Sequence, residues 1–156
     1  MMTLGGIPLI YLGDETGVLN DYKYRKDPAK AHDSRWVHRP ATNWDEVELR
    51  NDLTSIQGRI FQALSKFIEM RKSTVCLSGH EMQVINTDNN HVLGFLRISE
   101  NRRAIILANF SEAEQHLQAN LLRIYGIAPS FTDLITQQQI AAQEIILAPY
   151  QLLCLV

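Results

Sequence analysis

Two kinds of hydrophobic spacing divide the chain. Ile56, Ile60, Phe61, Leu64, Phe67 and Ile68 recur at helical intervals, with Arg59, Gln62, Lys66 and Glu69 between them, so one apolar stripe and one polar face alternate around a helix. Ahead of it, Thr54-Ser55-Ile56-Gln57 reads as a capping box in which the Thr54 hydroxyl accepts from the Gln57 backbone N–H. Lys66, Arg71 and Lys72 lie toward the other end, where the helix dipole favours cations. The pattern predicts a helix over residues 54–72. From about residue 79 the period shortens to that of strands, expected at 82–87, 92–98, 103–110, 115–121, 131–135, 144–147 and 151–156. Asp88-Asn89-Asn90 and Ser99-Glu100-Asn101 supply hairpin-like turns and Ala148-Pro149 breaks the last apolar run. So many short strands in so short a stretch predict an antiparallel β-sandwich.

The N-terminal part follows neither pattern. Residues 7–12 form an almost unbroken apolar run closed by Gly13-Asp14-Glu15, as expected of a strand buried on both faces with polar groups at its carboxyl end. Such a strand needs neighbours, and the sequence around it offers none. Residues 13–53 carry no sustained period and read as one long loop. Tyr22, Tyr24, Trp36 and Trp44 are too many aromatics for a solvated linker, so the loop is expected to be functional. The chain therefore divides into residues 1–77 (strand 7–12, loop 13–53, helix 54–72) and an all-β domain over residues 78–156.

Composition narrows the partners. With 46% hydrophobic and 21% charged residues among 156, the chain reads as a soluble globular protein, and a net charge of −2 offers no footprint for nucleic acid or an anionic membrane. Tyr22-Lys23-Tyr24-Arg25-Lys26 would suit nucleic acid, but Asp21 and Asp27 flank and offset it. Cys76 and Cys154 lie in apolar surroundings without metal-type spacing, which predicts buried reduced thiols and a cytoplasmic setting. No leader pattern or membrane-length apolar run is expected. His32, Asp33 and His38 match no zinc signature, so no metal site is predicted.

The segment Gly-Ile-Pro-Leu-Ile-Tyr-Leu-Gly-Asp-Glu resembles the region around the eighth barrel strand of the α-amylase family of glycoside hydrolases. Leu19-Asn20-Asp21 and Asp33-Ser34-Arg35-Trp36-Val37-His38-Arg39-Pro40 are similar to amylosucrases and sucrose hydrolases within it, while Asn109-Phe110-Ser111 and Pro149-Tyr150-Gln151 are the best matching points in the β-domain. His32 departs from the acidic residue that the resemblance leads one to expect before Asp33. The resemblance implies the last strand, loop and helix of a TIM barrel followed by an antiparallel β-sandwich, an α+β fragment. It implies an enzyme acting on sucrose or an α-glucan through a glucosyl-enzyme, with no cofactor. Retaining glycosidases need a carboxylate nucleophile and an acid/base about 5–5.5 Å apart, and in the family both come from earlier strands. The chain alone is therefore expected to be inactive, with no catalytic residue of its own.

Arg35 is the strongest candidate, since a guanidinium fork binds a carboxylate bidentately. By resemblance it pairs with an acid from an early strand and closes the sugar pocket. Asp14, Glu15, Asp33, Trp36, His38 and Arg39 are read as supports of that loop. The other reading is a non-enzymatic β-sandwich serving interaction or weak glucan binding. The apolar run 7–12 implies that the isolated chain self-associates, or that the helix stripe of Ile56, Phe61, Leu64 and Ile68 helps to cover it.

Overall fold

The computed structural model describes residues 1–118, 120–125, 130–141 and 144–156. They form two compact units, Met1–Pro8 with Phe67–Val156, and Leu9–Lys66.

The first unit is built on a four-stranded antiparallel sheet in the order β1-β2-β3-β8, comprising Met82–Ile85, Val92–Ser99, Arg102–Asn109 and Leu152–Leu155. Side chains alternate across it. Leu96, Ile105, Leu107, Leu153 and Leu155 enter one buried cluster, where they meet Leu117, Phe131, Ile145 and Leu147; Phe95, Ala104, Ile106 and Cys154 enter a second with Cys76 and Leu77. Both faces of the central strands are thus covered, which explains why Ala104-Ile105-Ile106-Leu107 reads as a continuous apolar run. Each buried leucine, isoleucine and phenylalanine among them contributes about 1.5–3 kcal/mol through burial. The remaining strands form two pairs, β4 (Gln115–Gln118) with β7 (Glu144–Leu147) and β5 (Ser130–Thr132) with β6 (Gln139–Ala141). The strand expected over 115–121 stops at Gln118; residue 119 lies outside the described residues, and Asn120–Tyr125 is helical.

Two polar side chains organise this unit from inside. Arg97 is fully buried, and its guanidinium donates to the carbonyls of Glu81 (3.1 Å), Thr3 (2.7 Å), Leu77 (3.1 Å) and Gly79. Burial, and then the neighbouring Arg71, pull its pKa below the ordinary arginine value. Arg71 donates in turn to the carbonyls of Met2, Leu4 and Gly6. Asp133 is equally buried and accepts from the N–H groups of Ile135, Thr136 and Cys154 and from the Thr136 hydroxyl. The free thiols of Cys76 and Cys154 are buried as expected, and burial pushes Cys154 up to about 12.

The second unit is a chain of short turns. 3₁₀ turns cover Asp14–Thr16, Tyr22–Lys26, Ser34–His38 and Leu49–Asn51, with helix α1 at Trp44–Glu48. Asp21, Asp33 and Asn43 each precede a turn or helix and accept the N–H two residues on, the local competition that makes Asx residues good caps and poor helix interiors. Helix α2, Ile56–Ser73, begins in this unit. Its cap is one residue later than expected: Ser55 Oγ accepts from the Gly58 N–H at 2.9 Å, while the Thr54 hydroxyl donates to Asp52. Two further short helices, α3 (Val75–Ser78) and α4 (Asn120–Tyr125), follow.

The strand expected over residues 7–12 does not form, and the helix stripe does not cover it. Ile7, Leu9 and Leu12 are 98%, 75% and 75% exposed, and Ile56 at the start of the stripe is itself exposed. A strand exists through its ladder partners, and no strand among the described residues pairs with this run.

Candidate functional site

The loop residues singled out by sequence all lie in the second unit. Asp14 and Glu15 follow Gly13, whose φ of 101° is a left-handed conformation, and whose absent Cβ would meet the Val18 side chain at 2.9 Å. Both carboxylates fold back on the chain before them: Asp14 accepts from the Tyr11 N–H at 3.0 Å and Glu15 from the Gly13 N–H at 2.8 Å. Their hydrogen bonds shape the turn.

Asp33 and Arg35 form a bidentate pair. Arg35 Nε and Nη2 reach the two carboxylate oxygens at 2.9–3.0 Å and 2.8 Å, and the Arg35 backbone N–H adds a bond at 3.0 Å. The Arg35 side chain holds the Asp33 carboxyl at about 2, and the carboxylate raises the Arg35 guanidinium in return. Exposure limits what this pair adds to stability, since the Arg35 side chain is 73% accessible.

Trp36 lies under two cations, Lys30 at 5.0 Å and Arg39 at 6.0 Å from its ring centre. His38 Nδ1 meets Asn20 Oδ1 at 2.9 Å, tying the 3₁₀ turn of Ser34–His38 back to the segment before Tyr22.

A cleft of about 160 Å³ is walled by Tyr11, Leu12, Gly13, Glu15, Thr16 and Val18 on one side and by residues 38–43, Glu46 and Val47 on the other. Glu15, His38 and Arg39 therefore share one concavity, whereas Asp14, Asp33, Arg35 and Trp36 do not line it. Asn43 and Glu46, which sequence reasoning missed, contribute an amide and a carboxylate joined at 3.1 Å. An Asn followed three residues later by Glu before a helix was the available signal. Carboxylates, an imidazole and a phenol suit hydroxyl-rich ligands. Among the described residues, no group of three or more His, Cys, Asp or Glu is placed to hold a metal ion, and no helix is long and apolar enough to cross a membrane.

No protein-family model matches the chain. It is 26% identical to a glucosylglycerate phosphorylase of Escherichia coli K12 over 155 residues, which are 98% of this chain and 26% of that enzyme. The chain thus spans about a quarter of the length of that relative. Among solved structures it is similar to a maltogenic amylase from S. marinus, with TM-score 0.64 and 21% identity over 99% of this chain and 18% of that one. It is also similar to the ligand-free cyclic α-maltosyl-(1→6)-maltose hydrolase of Arthrobacter globiformis, with TM-score 0.65 and 18% identity over 98% of this chain and 27% of that one. At such identities the structural likeness establishes the fold.

Proposed function

We propose that this chain, which resembles the C-terminal part of α-amylase-family glycoside hydrolases, serves an enzyme that moves or hydrolyses α-glucosyl units, with sucrose as the glucosyl donor. The observation that carries the reading is the sequence likeness to glucosylglycerate phosphorylase along 98% of the chain, which includes the Asp33–Arg35 segment and the β-unit alike. In this reading the first residues, the turn-rich loop and helix α2 complete a TIM barrel, and the β-unit is the sandwich that follows. The apolar run 7–12 is available as a barrel strand once neighbours flank it.

Arg35 is the pocket residue in this proposal. Its bond to Asp33 is local and exposed, so the guanidinium is free to exchange that carboxylate for one presented by an earlier barrel strand. Glu15, His38 and Arg39 support the mouth of the pocket. The chain supplies walls, and the nucleophile and acid/base come from elsewhere. In isolation the exposed run 7–12 pairs copies of the chain together, which light scattering would detect as a mass above that of the monomer.

The test is direct. The chain alone, incubated with sucrose and either glycogen or inorganic phosphate, should release no fructose above a protein-free blank, whereas a longer chain carrying the preceding barrel should. Fructose release by the purified short chain, or none from sucrose by the longer one, would refute the reading. An Arg35→Ala version of the active longer chain with unchanged turnover would remove the arginine from the pocket.

A further inference from the structure

The β-unit holds the first residues by their main chain. Arg97, on β2, donates to the Thr3 carbonyl at 2.7 Å. Arg71, in the last turn of α2, donates to the carbonyls of Met2 (2.7 Å), Leu4 (2.9 Å) and Gly6 (2.6 Å). An arginine at a helix C-terminus ordinarily serves its own helix's last carbonyls. Here the fork is turned to a segment 65 to 69 residues earlier. Met2 and Thr3 are also buried, so they are held twice. Leu4 and Gly6 are exposed, and among the described residues Arg71 is the only side chain bonded to their carbonyls.

This hold is specific for one register. A Cβ on Gly5 would lie 2.7 Å from the His80 carbonyl oxygen, and Gly6 has a left-handed φ of 87°. A slip of one residue in one direction brings Leu4 against that oxygen. The opposite slip puts Ile7 at the positive φ, which a β-branched residue resists. Only Gly5 and Gly6 in their present places satisfy both demands. Six residues then separate Gly6 from Gly13, about 20 Å of extended chain. A slip of one residue at the start would move the far end by about 3.3 Å and turn every side chain of the run to the opposite face.

We propose that Arg71 and Arg97 are positioning residues: they make the β-unit a clamp that sets the register of residues 7–12 as a barrel strand, and through it the place of the Asp14–Glu15 turn. A misplacement of about 1 Å at a reacting centre can cost about a hundredfold in rate, so a register fixed outside the barrel governs turnover inside it. The strand's place in a barrel rests on the function proposed above; the clamp itself rests on the hydrogen bonds to residues 2–6 and on the two glycines.

The test is a double-mutant cycle in the longer chain that carries the preceding barrel. One glycine is inserted between Gly6 and Ile7, alone and together with Arg71→Ala, and both sucrose turnover and the urea midpoint are measured. The insertion alone should lower turnover about tenfold or more, because the clamp forces the strand out of register. Adding Arg71→Ala frees Leu4 and Gly6 to absorb the extra residue, and should restore turnover about fivefold and raise the midpoint, although the same substitution lowers the midpoint of the parent. Lys72→Ala, which removes the neighbouring cation of the same helix turn, should rescue neither. Additive losses, with Arg71→Ala worsening the insertion as it worsens the parent, overturn the clamp and leave the arginine a purely stabilising role. An insertion without effect on turnover or midpoint overturns it as well. If the longer parent releases no fructose, the sucrose reading falls, and the urea midpoints decide the clamp by the same criterion of rescue against additivity.

Discussion

Replacing Arg97 by alanine should be among the most damaging single changes in the β-unit. The residue has no measurable exposure, and four backbone carbonyls converge on its guanidinium, those of Thr3, Leu77, Gly79 and Glu81. Removing it leaves acceptors in a place that water reaches poorly, each costing about 1–3 kcal/mol. One of the four has a weak second partner, the Ile98 N–H at 3.5 Å from the Glu81 carbonyl, and some collapse will relieve the others. A net loss of about 3–5 kcal/mol follows, comparable to breaking a buried charged network. That is a large share of a typical domain stability of about 5–15 kcal/mol. Arg97→Lys should recover only part of it, because an ammonium cannot span four acceptors that a planar fork reaches together. Arg71→Ala, whose side chain is half-buried and serves three carbonyls of the first residues, should cost less, about 1–2 kcal/mol. The assay is urea unfolding followed by thiol labelling, since Cys76 and Cys154 are both buried in this unit and react only when it opens. A midpoint for Arg97→Ala within about 1 kcal/mol of the parent would show that the carbonyls find other partners and would refute the reasoning.

Three more outcomes are expected. Gly58→Ala should destabilise the loop unit by about 1–3 kcal/mol despite alanine's better helix propensity, because the added Cβ would lie 2.0 Å from the Asp52 carbonyl oxygen; a higher urea midpoint for the variant would contradict this. The Asp33 carboxyl should titrate near 2 by NMR and return toward the ordinary aspartate range in Arg35→Ala, so the pair's contribution is present above about pH 4 and is lost as pH falls through about 2. His116 lies between Glu144 at 2.9 Å and Glu114 at 3.1 Å, which raise its pKa in that order of importance. Its contribution is fully present below about pH 6.5 and is lost as pH rises through the raised value. His116→Gln should flatten that slope in a series of melts between pH 6 and 8.5, and an unchanged slope would assign it elsewhere.

The sheet was legible because burial on a pleated surface writes its period into the sequence. Val92–Ser99, Arg102–Asn109 and Glu144–Leu147 lie within a residue of where alternation and turn residues put them. Residues 7–12 carry an equally strong apolar signal, yet a strand's existence depends on partners that local sequence does not encode. The helix cap slipped by one residue because Thr54 and Ser55 are chemically equivalent, and Asp52 decides between them by engaging Thr54. In the site, Arg35 was singled out for an acid from an early strand and Asp33 as loop support, and their local pairing was not read from the sequence, while the tie between His38 and Asn20 spans eighteen residues and had no local signature. Arg97 was hidden within an apolar strand. Its only trace was a cation on the same side as Phe95, where period two demands a hydrophobe.

The arginine knot also sets a timetable for synthesis. Thr3 is translated 94 residues before the guanidinium that receives its carbonyl, and Met2 69 residues before Arg71. At about 5–20 residues per second the first residues wait several seconds or more without their partners, while the whole of Leu9–Lys66 emerges behind them. Residues 2–4 are therefore fastened only after a long stretch of chain has followed them. The β-unit closes on a segment that has waited open to chaperones and proteases, and lengthening that wait with slower codons, or shortening it with faster ones, should change the yield of folded protein without altering a single contact.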